Sequence, residues 1–474
     1  MFISIVILLA FVYFIWHNDE LYKKSTERHA QADRWTTSQL KQAAEVSNGP
    51  KEAPLLNSRD LPPKTGRRYI IVGGIGFVGN WIVGTLLRRG EEPYNIRVVD
   101  LKPPSLPEQL EYLAAGVEYV KADITDRNAT TASFMKTWTK PDAENVSKGL
   151  TVFHCAAVIR YFERHTTFLS RSMAVNMGGT RNVIEASKAA GADIFLYTSS
   201  TVVGARPARL LSFPWESKRS ETCTQVVSDE GEAEGRGEVV WHYRMHDDFI
   251  SNYAETKFQA ELLVRNADKA NGGKLRTGIL RAGAILFGPT HLDPIFLGFL
   301  KSPYPNLLWC SNTVQHLLYI ENCVSAHLLY EQRLLEAQHG SRDIGGHAYI
   351  VTDTPHNFAN LTKALTILSN GKVKFLNISP TIMYLLSHLV EGYDLVYHHS
   401  PVLQKILPRL GGDLIKLQPS SHQSMLVNFF YDDSLIRAPV EKEGLGYRAK
   451  VSAFDAFCHT VMWLQKHTLD EKAA

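Results

Sequence analysis

The stretch VGGIGFVGNWIVG, residues 72–84, decides the fold predicted for this chain. It continues the apolar run RRYIIV, which predicts a short buried strand, and it opens the run FVGNWIVGTLLRRG, which predicts a helix ending at Gly90. Glycines at this spacing let the backbone turn tightly and approach a pyrophosphate, and the helix N-terminus offers free N–H groups to it. The residues expected to line a dinucleotide here are Gly73, Gly76, Phe77, Val78 and Gly79.

An acidic residue stands where such a site requires one. Asp100 ends the second apolar run, NIRVVDL, and lies 21 residues after Gly79. A carboxylate at this place accepts hydrogen bonds from a ribose diol and repels a 2′-phosphate, so the sequence favours NAD. NADP stays open because Lys102 lies close by.

Apolar runs and helical segments alternate from Arg67 onward. The further runs VEYVKADI, GLTVFHCAA, DIFLYTSS and LRTGILRAG are each bounded by turn or helix signals. Strands that alternate with helices predict a doubly wound parallel α/β sheet of the Rossmann type, with ligands beyond the carboxyl ends of the strands. We assign residues 67–290 to this nucleotide-binding domain and residues 291–474 mainly to a smaller, interleaved substrate-binding part.

Composition restricts the function classes. The 474 residues carry a formal net charge of only +3, which gives no reason to expect a nucleic-acid partner. The five cysteines are scattered without any metal-ligand spacing, so neither disulfides nor a metal site is predicted. A homodimer is left open.

The N-terminus has membrane character. The run Phe2–Trp16 contains only one polar residue, and as a helix it measures roughly 22 Å, short of the roughly 30 Å hydrocarbon core. Whether it spans the bilayer or lies in one leaflet stays open. We assign residues 1–18 to a membrane anchor and 19–66 to a polar linker. Lys23, Lys24 and Arg28 follow the apolar run and predict a domain that faces the cytosol, and the endoplasmic reticulum is the expected membrane.

A tyrosine and a lysine share one face of a later helix. Tyr253 and Lys257, in FISNYAETKFQAE, are four residues apart. A phenol with a pKa near about 10 is a poor base at neutral pH, and a nearby ammonium lowers that pKa. Downstream of a dinucleotide motif, the pair predicts acid/base chemistry rather than an ordinary surface pair.

Several motifs together resemble the extended short-chain dehydrogenase/reductase superfamily. The motifs are the G-x-x-G-x-x-G loop, ADITD, VFHCAAV, VNMGGTRNVIEAS, RAGAILFGP and LLYIENCVSAHLL, spread over roughly residues 67–465. RAGAILFGP departs from the superfamily's pattern with Ala282 for proline and Phe287 for tyrosine. The resemblance implies further cofactor contacts from Asp123, Ile124, Ala156, Ala157, Asn176, Ala282 and Ala284, besides Tyr253 and Lys257.

The resemblance also implies a hydroxyl that orients the substrate. It falls on the YTSS ending, where Ser200 is the expected catalytic partner of Tyr253 and Lys257. The following STVVG is one residue shorter than is usual before the glycine, so Ser199 and Thr201 remain alternatives. The implied reaction is removal of a hydroxyl proton by Tyr253 with hydride transfer to the nicotinamide, and no metal.

The C-terminal part is similar to the 3β-hydroxysteroid dehydrogenase family, including its sterol-4α-carboxylate 3-dehydrogenase (decarboxylating) branch. The likeness rests on GHAYIVTDTPHNFANLTKAL and EGLGYRAKVSAFDAFCHTVMWLQK, and it implies oxidation of a 3β-hydroxyl on a sterol or triterpenoid-like lipid. The apolar segment 379–403 is interpreted either as a core helix or as a membrane-docking or pocket-lining one. The alternatives are a sugar-nucleotide epimerase and a non-catalytic NAD-sensing protein.

The stretch between Ser200 and Tyr253 is long. Its 53-residue spacing predicts an enlarged loop at 205–250, polar and acidic, which reads as a solvated surface loop. The competing hypothesis is a lid over the substrate mouth.

Overall fold

The computed structural model describes residues 2–27, 35–46, 55–139, 149–229 and 244–470. Within these ranges the strands are β1 Arg68–Val72, β2 Ile96–Asp100, β3 Glu118–Lys121, β4 Leu150–His154, β5 Ile194–Ser200, β6 Thr224–Val227, β7 Arg276–Ala282, β8 Ile285–Phe287, β9 Asn306–Leu308, β10 Val314–Tyr319, β11 Ala348–Val351, β12 Pro355–Asn357, β13 Phe375–Asn377 and β14 Asn428–Tyr431. The α-helices are α1 Phe2–Glu27, α2 Thr37–Val46, α3 Phe77–Arg88, α4 Pro107–Ala115, α5 Arg127–Met135, α6 Leu169–Met173, α7 Thr180–Ala189, α8 Asn252–Asn266, α9 Phe296–Lys301, α10 Ile320–Gln338, α11 Phe358–Leu368, α12 Pro380–His399, α13 Leu403–Ile406, α14 Pro419–Leu426, α15 Ser434–Arg437 and α16 Ala453–Asp470.

Seven parallel strands form the central sheet, in the order β11-β7-β5-β4-β1-β2-β3. Successive residues of β1 point to opposite faces, as a strand requires. Tyr69 and Ile71 pack into one hydrophobic cluster, whereas Ile70 and Val72 pack into another. The sheet is therefore covered on both sides, and the predicted doubly wound fold is confirmed.

The seventh strand comes from the C-terminal part of the chain. β11 pairs with β7 through Ala348 and Ile279, so the sheet draws on residues beyond the predicted domain limit at 290. The remaining strands form three small sheets, of which β6 and β14 make one. The C-terminal part thus contributes strands that pair with strands of the nucleotide-binding domain.

The enlarged loop is not simply solvated. Within it, β6 pairs in parallel with β14, placing Thr224 opposite Asn428. Cys223 and Val227 are buried in a hydrophobic cluster. The surface-loop interpretation is therefore wrong for the 221–229 part; residues 230–243 of the stretch lie outside the described residues.

The N-terminal segment also differs from the expected linker. α1 continues past residue 18 to Glu27, and Leu21 and Tyr22 on its last turns are buried. Further along, Leu40 and Leu56 belong to the main core. The described parts of 19–66 therefore pack against the domain. α1 itself is long and apolar enough, over Phe2–Lys24, to cross a membrane.

Candidate active site

The glycine loop is closed so tightly that side chains are excluded at two positions. Gly73 has a φ of +82°, and a Cβ there would lie 2.6 Å from the backbone nitrogen of Ala156. A Cβ on Gly79 would lie 2.2 Å from the carbonyl oxygen of Gly73. Gly76 caps α3, and the N–H groups of its first residues, Phe77 and Val78, have no acceptor within the helix. This geometry fits the approach of a phosphate to the helix N-terminus.

Asp100 holds the same loop from the end of β2. Its Oδ2 accepts a hydrogen bond from the N–H of Ile75 at 3.0 Å, and its Oδ1 accepts one from the N–H of Lys102 at 3.0 Å. The carboxylate thus lies beside the glycine turn with lone pairs left for a diol. The cofactor contact of Asp100 stays a prediction from the sequence, whereas the contact that fixes the loop is seen in the structure.

The other residues expected to contact a cofactor follow neighbouring strands. Ala156 follows β4, and its N–H donates to Val72 at 3.0 Å, so Ala156 and Ala157 lie next to the glycine loop. Asp123 follows β3, is exposed, and accepts from the hydroxyl of Thr125 at 2.8 Å. Ile124 is buried against Gly179, where a Cβ would lie 2.6 Å from its Cδ1. Ala282 and Ala284 stand at and just beyond the end of β7, and Ala282 is in register with Ser200.

Asn176 clamps the loop after β4 onto α8. It lies in a π-helical turn, Ala174–Gly179, between α6 and α7, a feature that is frequent at functional sites. Its Oδ1 accepts from the N–H of Val158 at 2.8 Å, and its Nδ2 donates to Val158 O at 3.1 Å and to Thr256 Oγ1 at 3.0 Å. Asn176 therefore fixes the helix turn that carries Lys257.

The three candidate hydroxyls around the end of β5 have different surroundings. Ser199 donates to the buried carboxylate of Glu261 at 2.6 Å, and Thr201 is completely buried. Ser200 instead lies beside Tyr253, on the first turn of α8, and its hydroxyl lowers the pKa of the tyrosine. Of the three sequence candidates, Ser200 is the one that acts on the tyrosine.

The electrostatics of Tyr253 and Lys257 differ from the expectation. Burial raises the pKa of Tyr253 to about 12, and the neighbouring Ser200 hydroxyl opposes this rise. Burial lowers the pKa of Lys257 to about 7, opposed by the nearby Glu261 carboxylate. Lys257 Nζ donates to Thr198 O at 2.7 Å and lies 4.0 Å from the centre of the Tyr197 ring. Lys257 is not among the groups that shift the pKa of Tyr253, so the structure does not show the predicted lowering of that pKa by the ammonium.

Two buried polar contacts support the site, and sequence reasoning missed both. Arg281 on β7 forms a buried ion pair with Glu261 on α8, with Nη2 and Oε2 2.7 Å apart. His327 Nε2 lies 2.8 Å from Thr198 Oγ1, beneath the carbonyl that Lys257 contacts. Both Arg281 and His327 stand inside motifs quoted for the family resemblance, so those motifs were the available signal.

A cavity of about 370 Å³ lies near the start of α8. Its lining residues are Arg160, Phe162, Arg171, Asp394, Arg409, Leu410, Gly411 and Ile415. Neither Ser200 nor Tyr253 lines it. The buried Glu163 bridges Arg160 and Arg171, and its carbonyl accepts from the N–H of Asn252 at 2.8 Å. The 160–163 segment therefore separates the cavity from the helix turn that carries Tyr253.

Comparison with known proteins places the chain. The model of the 3-beta hydroxysteroid dehydrogenase/isomerase family matches residues 70–209 and 222–372. The chain belongs to this family. The family predicted from the sequence motifs is thereby confirmed, and the unmatched residues 210–221 fall inside the enlarged loop.

The relatives found are distant. A "3beta-hydroxysteroid-dehydrogenase/decarboxylase isoform 2" of Arabidopsis thaliana is 26% identical over 82% of this chain and 62% of its own length. The chain thus spans less than two thirds of that relative. A "3-beta-hydroxysteroid dehydrogenase" of Mycolicibacterium neoaurum is 25% identical over 67% of this chain and 74% of its own length.

Solved structures agree on the fold. A UDP-glucose-4-epimerase from Stenotrophomonas maltophila, solved with bound NAD, covers 86% of this chain and all of its own length with a TM-score of 0.55. An epimerase from Methanothermobacter thermautotrophicus covers 87% of this chain and 96% of its own, with a TM-score of 0.53. The identities are 17% and 16%, so these likenesses show the fold alone.

Proposed function

We propose that this protein is an NAD-dependent oxidoreductase that converts a 3β-hydroxyl on a sterol, steroid or triterpenoid-like lipid to the ketone. The observation that carries the proposal is the proximity of the Ser200 and Tyr253 hydroxyls at the carboxyl end of β5, in a chain of this family. Two hydroxyls at this place can hold one substrate oxygen between them.

Each residue of the site has its own role in the proposed reaction. Ser200 and Tyr253 bind the substrate hydroxyl, and Tyr253 takes its proton as the carbon is oxidised. Lys257 lies one helix turn from Tyr253, and Asn176 bonds the adjacent Thr256 from outside α8, so that both hold the base in position. NAD would be held by the glycine loop and Asp100, and when bound it supplies the hydride acceptor and a positive ring charge that favours the phenolate. NADP binding is disfavoured because Asp100 would repel a 2′-phosphate.

The proposed reaction extends to loss of carbon dioxide when the substrate carries a 4-carboxylate. The printed name of the Arabidopsis relative includes a decarboxylase activity. Oxidation of a 3β-hydroxyl beside a 4-carboxylate gives a β-keto acid, which loses carbon dioxide readily without a further catalytic group. A substrate with a 4-carboxylate is therefore expected to yield a ketone one carbon shorter.

The direct test is turnover by the full-length protein in lipid. We expect NADH to form with NAD and a 3β-hydroxysterol but not with a UDP-sugar. Tyr253→Phe removes the base and is expected to lower kcat by about 10²- to 10⁴-fold. Tyr304→Phe, at a highly exposed tyrosine, is the matched control and should retain full activity. Undiminished turnover in Tyr253→Phe, or turnover of the UDP-sugar alone, would refute the proposal.

We further propose that α1 anchors the protein, with the domain in the cytosol at the endoplasmic reticulum. Lys23 and Lys24 follow the apolar part of α1, as the positive-inside rule requires of a cytosolic flank. The chain carries four glycosylation sequons, at Asn128, Asn145, Asn360 and Asn377. We expect the protein to resist alkaline extraction from membranes and to show no change in mobility with an endoglycosidase. Glycosylated protein would place the domain in the lumen instead.

A further inference from the structure

The cavity of about 370 Å³ has no role in the proposed reaction. It lies between two parts of the chain, the segment 160–171 that follows β4 and the region 394–415 that begins near the end of α12. Small-molecule sites are commonly clefts of about 300–1,000 Å³ between two parts of a protein. The cavity is therefore large enough for a small ligand.

Positive charge dominates the wall of this cavity. Three of its eight lining residues are arginines, Arg160, Arg171 and Arg409, and Asp394 is the one acid among the eight. Glu163 does not line the cavity, but it forms ion pairs with Arg160 and Arg171. The three arginines outnumber these two acids, so the wall favours an anionic ligand.

Glu163 holds two of the arginines in fixed positions. Arg160 Nε donates to Glu163 Oε2 at 2.7 Å, and Arg171 Nη1 donates to Glu163 Oε1 at 2.9 Å. Glu163 itself has none of its surface exposed. A guanidinium has five N–H donors, so both arginines keep donors for a second acceptor. Because their positions are fixed before a ligand arrives, less entropy is lost on binding.

Ion pairing with Glu163 does not account for Arg409. This arginine is exposed, and within the described part of the chain it has neither a hydrogen-bond nor an ion-pair partner. A guanidinium matches the two oxygens of a carboxylate with two parallel N–H groups. Arg409 therefore brings to the cavity a guanidinium that the protein does not use elsewhere.

Another part of the wall is apolar. Phe162, Leu410 and Ile415 line the cavity together with the arginines. The guanidinium carbon of Arg160 lies 5.2 Å from the centre of the Phe162 ring, so the charged and apolar surfaces adjoin. An inorganic anion would leave the apolar surface uncovered, and Asp394 would repel a ligand with several negative charges. The lining fits an acid that has one negative charge and an apolar body.

We propose that this cavity is a binding site for a small organic acid of that kind, separate from the place where Ser200 and Tyr253 hold the substrate hydroxyl. The three arginines bind the acid group, and Phe162, Leu410 and Ile415 cover the body. The site goes beyond the proposed oxidoreductase activity. It is measured without NAD and without a sterol, so a failure here leaves the proposed reaction intact.

The test compares a charged probe with an uncharged one of the same shape. The full-length protein in lipid nanodiscs is titrated at neutral pH with naphthoate or with naphthylmethanol in a calorimeter, and empty nanodiscs give the blank. We expect naphthoate to bind saturably, one molecule to each chain, and naphthylmethanol to bind at least about 10-fold more weakly, because a hydrogen bond to a charged group is lost. Equal binding of the two probes would overturn the proposal.

Variants at the wall show where the probe binds. Arg409→Gln removes a charge that has no partner in the described protein, and it is expected to weaken naphthoate binding about 10-fold. Arg59→Gln is the matched control, at an exposed arginine that does not line the cavity, and should bind as the wild type does. Asp394→Asn removes the acid of the wall and should tighten binding several-fold.

Two results with these variants would overturn the proposal. The first is unchanged affinity in both Arg409→Gln and Asp394→Asn, because the probe would then lie outside the cavity. The second concerns Ser200→Ala, which is expected to bind naphthoate with wild-type affinity. Loss of binding in Ser200→Ala would place the acid in the reaction site instead.

Discussion

Replacing Lys257 by methionine is expected to abolish activity while stabilising the protein at neutral pH. The ammonium is almost fully buried, with 1% of the residue accessible, and burial lowers the pKa of Lys257 from its ordinary value of 10.5 to about 7. A shift of this size corresponds to about 5 kcal/mol of folding free energy, as an upper limit. Methionine has a similar length and carries no charge to bury.

The sign of the pH dependence follows from the two protonation states. Between pH 7 and pH 10.5 the unfolded chain holds a proton on Lys257 that the folded chain has released. Raising the pH through this window therefore stabilises the wild type, by up to about 1.4 kcal/mol per pH unit. Below pH 7 both states are protonated and the full cost of burying the charge remains.

Lys257→Met lacks this pH dependence of stability, but it also lacks one hydrogen bond of the wild type. Methionine cannot donate to Thr198 O, and an unsatisfied buried carbonyl costs about 1–3 kcal/mol. At pH 7 the free energy gained by removing the buried charge is larger than the free energy lost with this hydrogen bond. Above pH 10.5 the folded and unfolded wild type are both uncharged at position 257, so only the lost hydrogen bond distinguishes the variant. The stability curves of the wild type and Lys257→Met are thus expected to cross.

Denaturant unfolding of the cofactor-free protein between pH 7 and pH 10 measures the two curves. Lys363→Met, at an exposed position of α11, is the matched control and should reproduce the pH slope of the wild type. A Lys257→Met variant that is less stable at every pH, with the wild-type slope, would refute the buried, weakly basic lysine on which this reasoning depends.

Two further variants test the supporting structure. Gly79→Ala places a Cβ 2.2 Å from Gly73 O, so we expect NAD binding measured by calorimetry to be lost; Gly298→Ala, where a Cβ meets no atom within 4 Å, should bind normally. Arg281→Met leaves the Glu261 carboxylate buried without its partner and should cost about 3–5 kcal/mol in denaturant unfolding. Adding Glu261→Met is expected to restore most of that loss, and a double variant as unstable as the sum of the two singles would contradict the pairing.

The two sides of α12 differ in polarity, with acidic residues on the inner side and apolar residues on the outer side. Asp394 lines the cavity of about 370 Å³ from the inner side of α12, while Leu389 and Val396 face outward on the same helix. One helix thus separates a charged cavity from an apolar surface.

Local pattern determined much of this protein. The glycine loop, the six predicted strands and the four-residue spacing of Tyr253 and Lys257 are set by residues close together in the chain, where backbone sterics and side-chain periodicity act directly. The same motifs indicated the family. These features were readable because neighbouring residues decide them.

Tertiary structure decided what depends on contacts between distant residues. Only the packing of α8 on β5 commits Ser199 to Glu261 and leaves Ser200 for Tyr253. Only the assembled sheet shows that β11 joins β7 and that burial, rather than an ammonium, governs the pKa of Tyr253. The sequence likewise left two interpretations of α12, because an apolar stripe does not determine which side of a helix the rest of the chain covers.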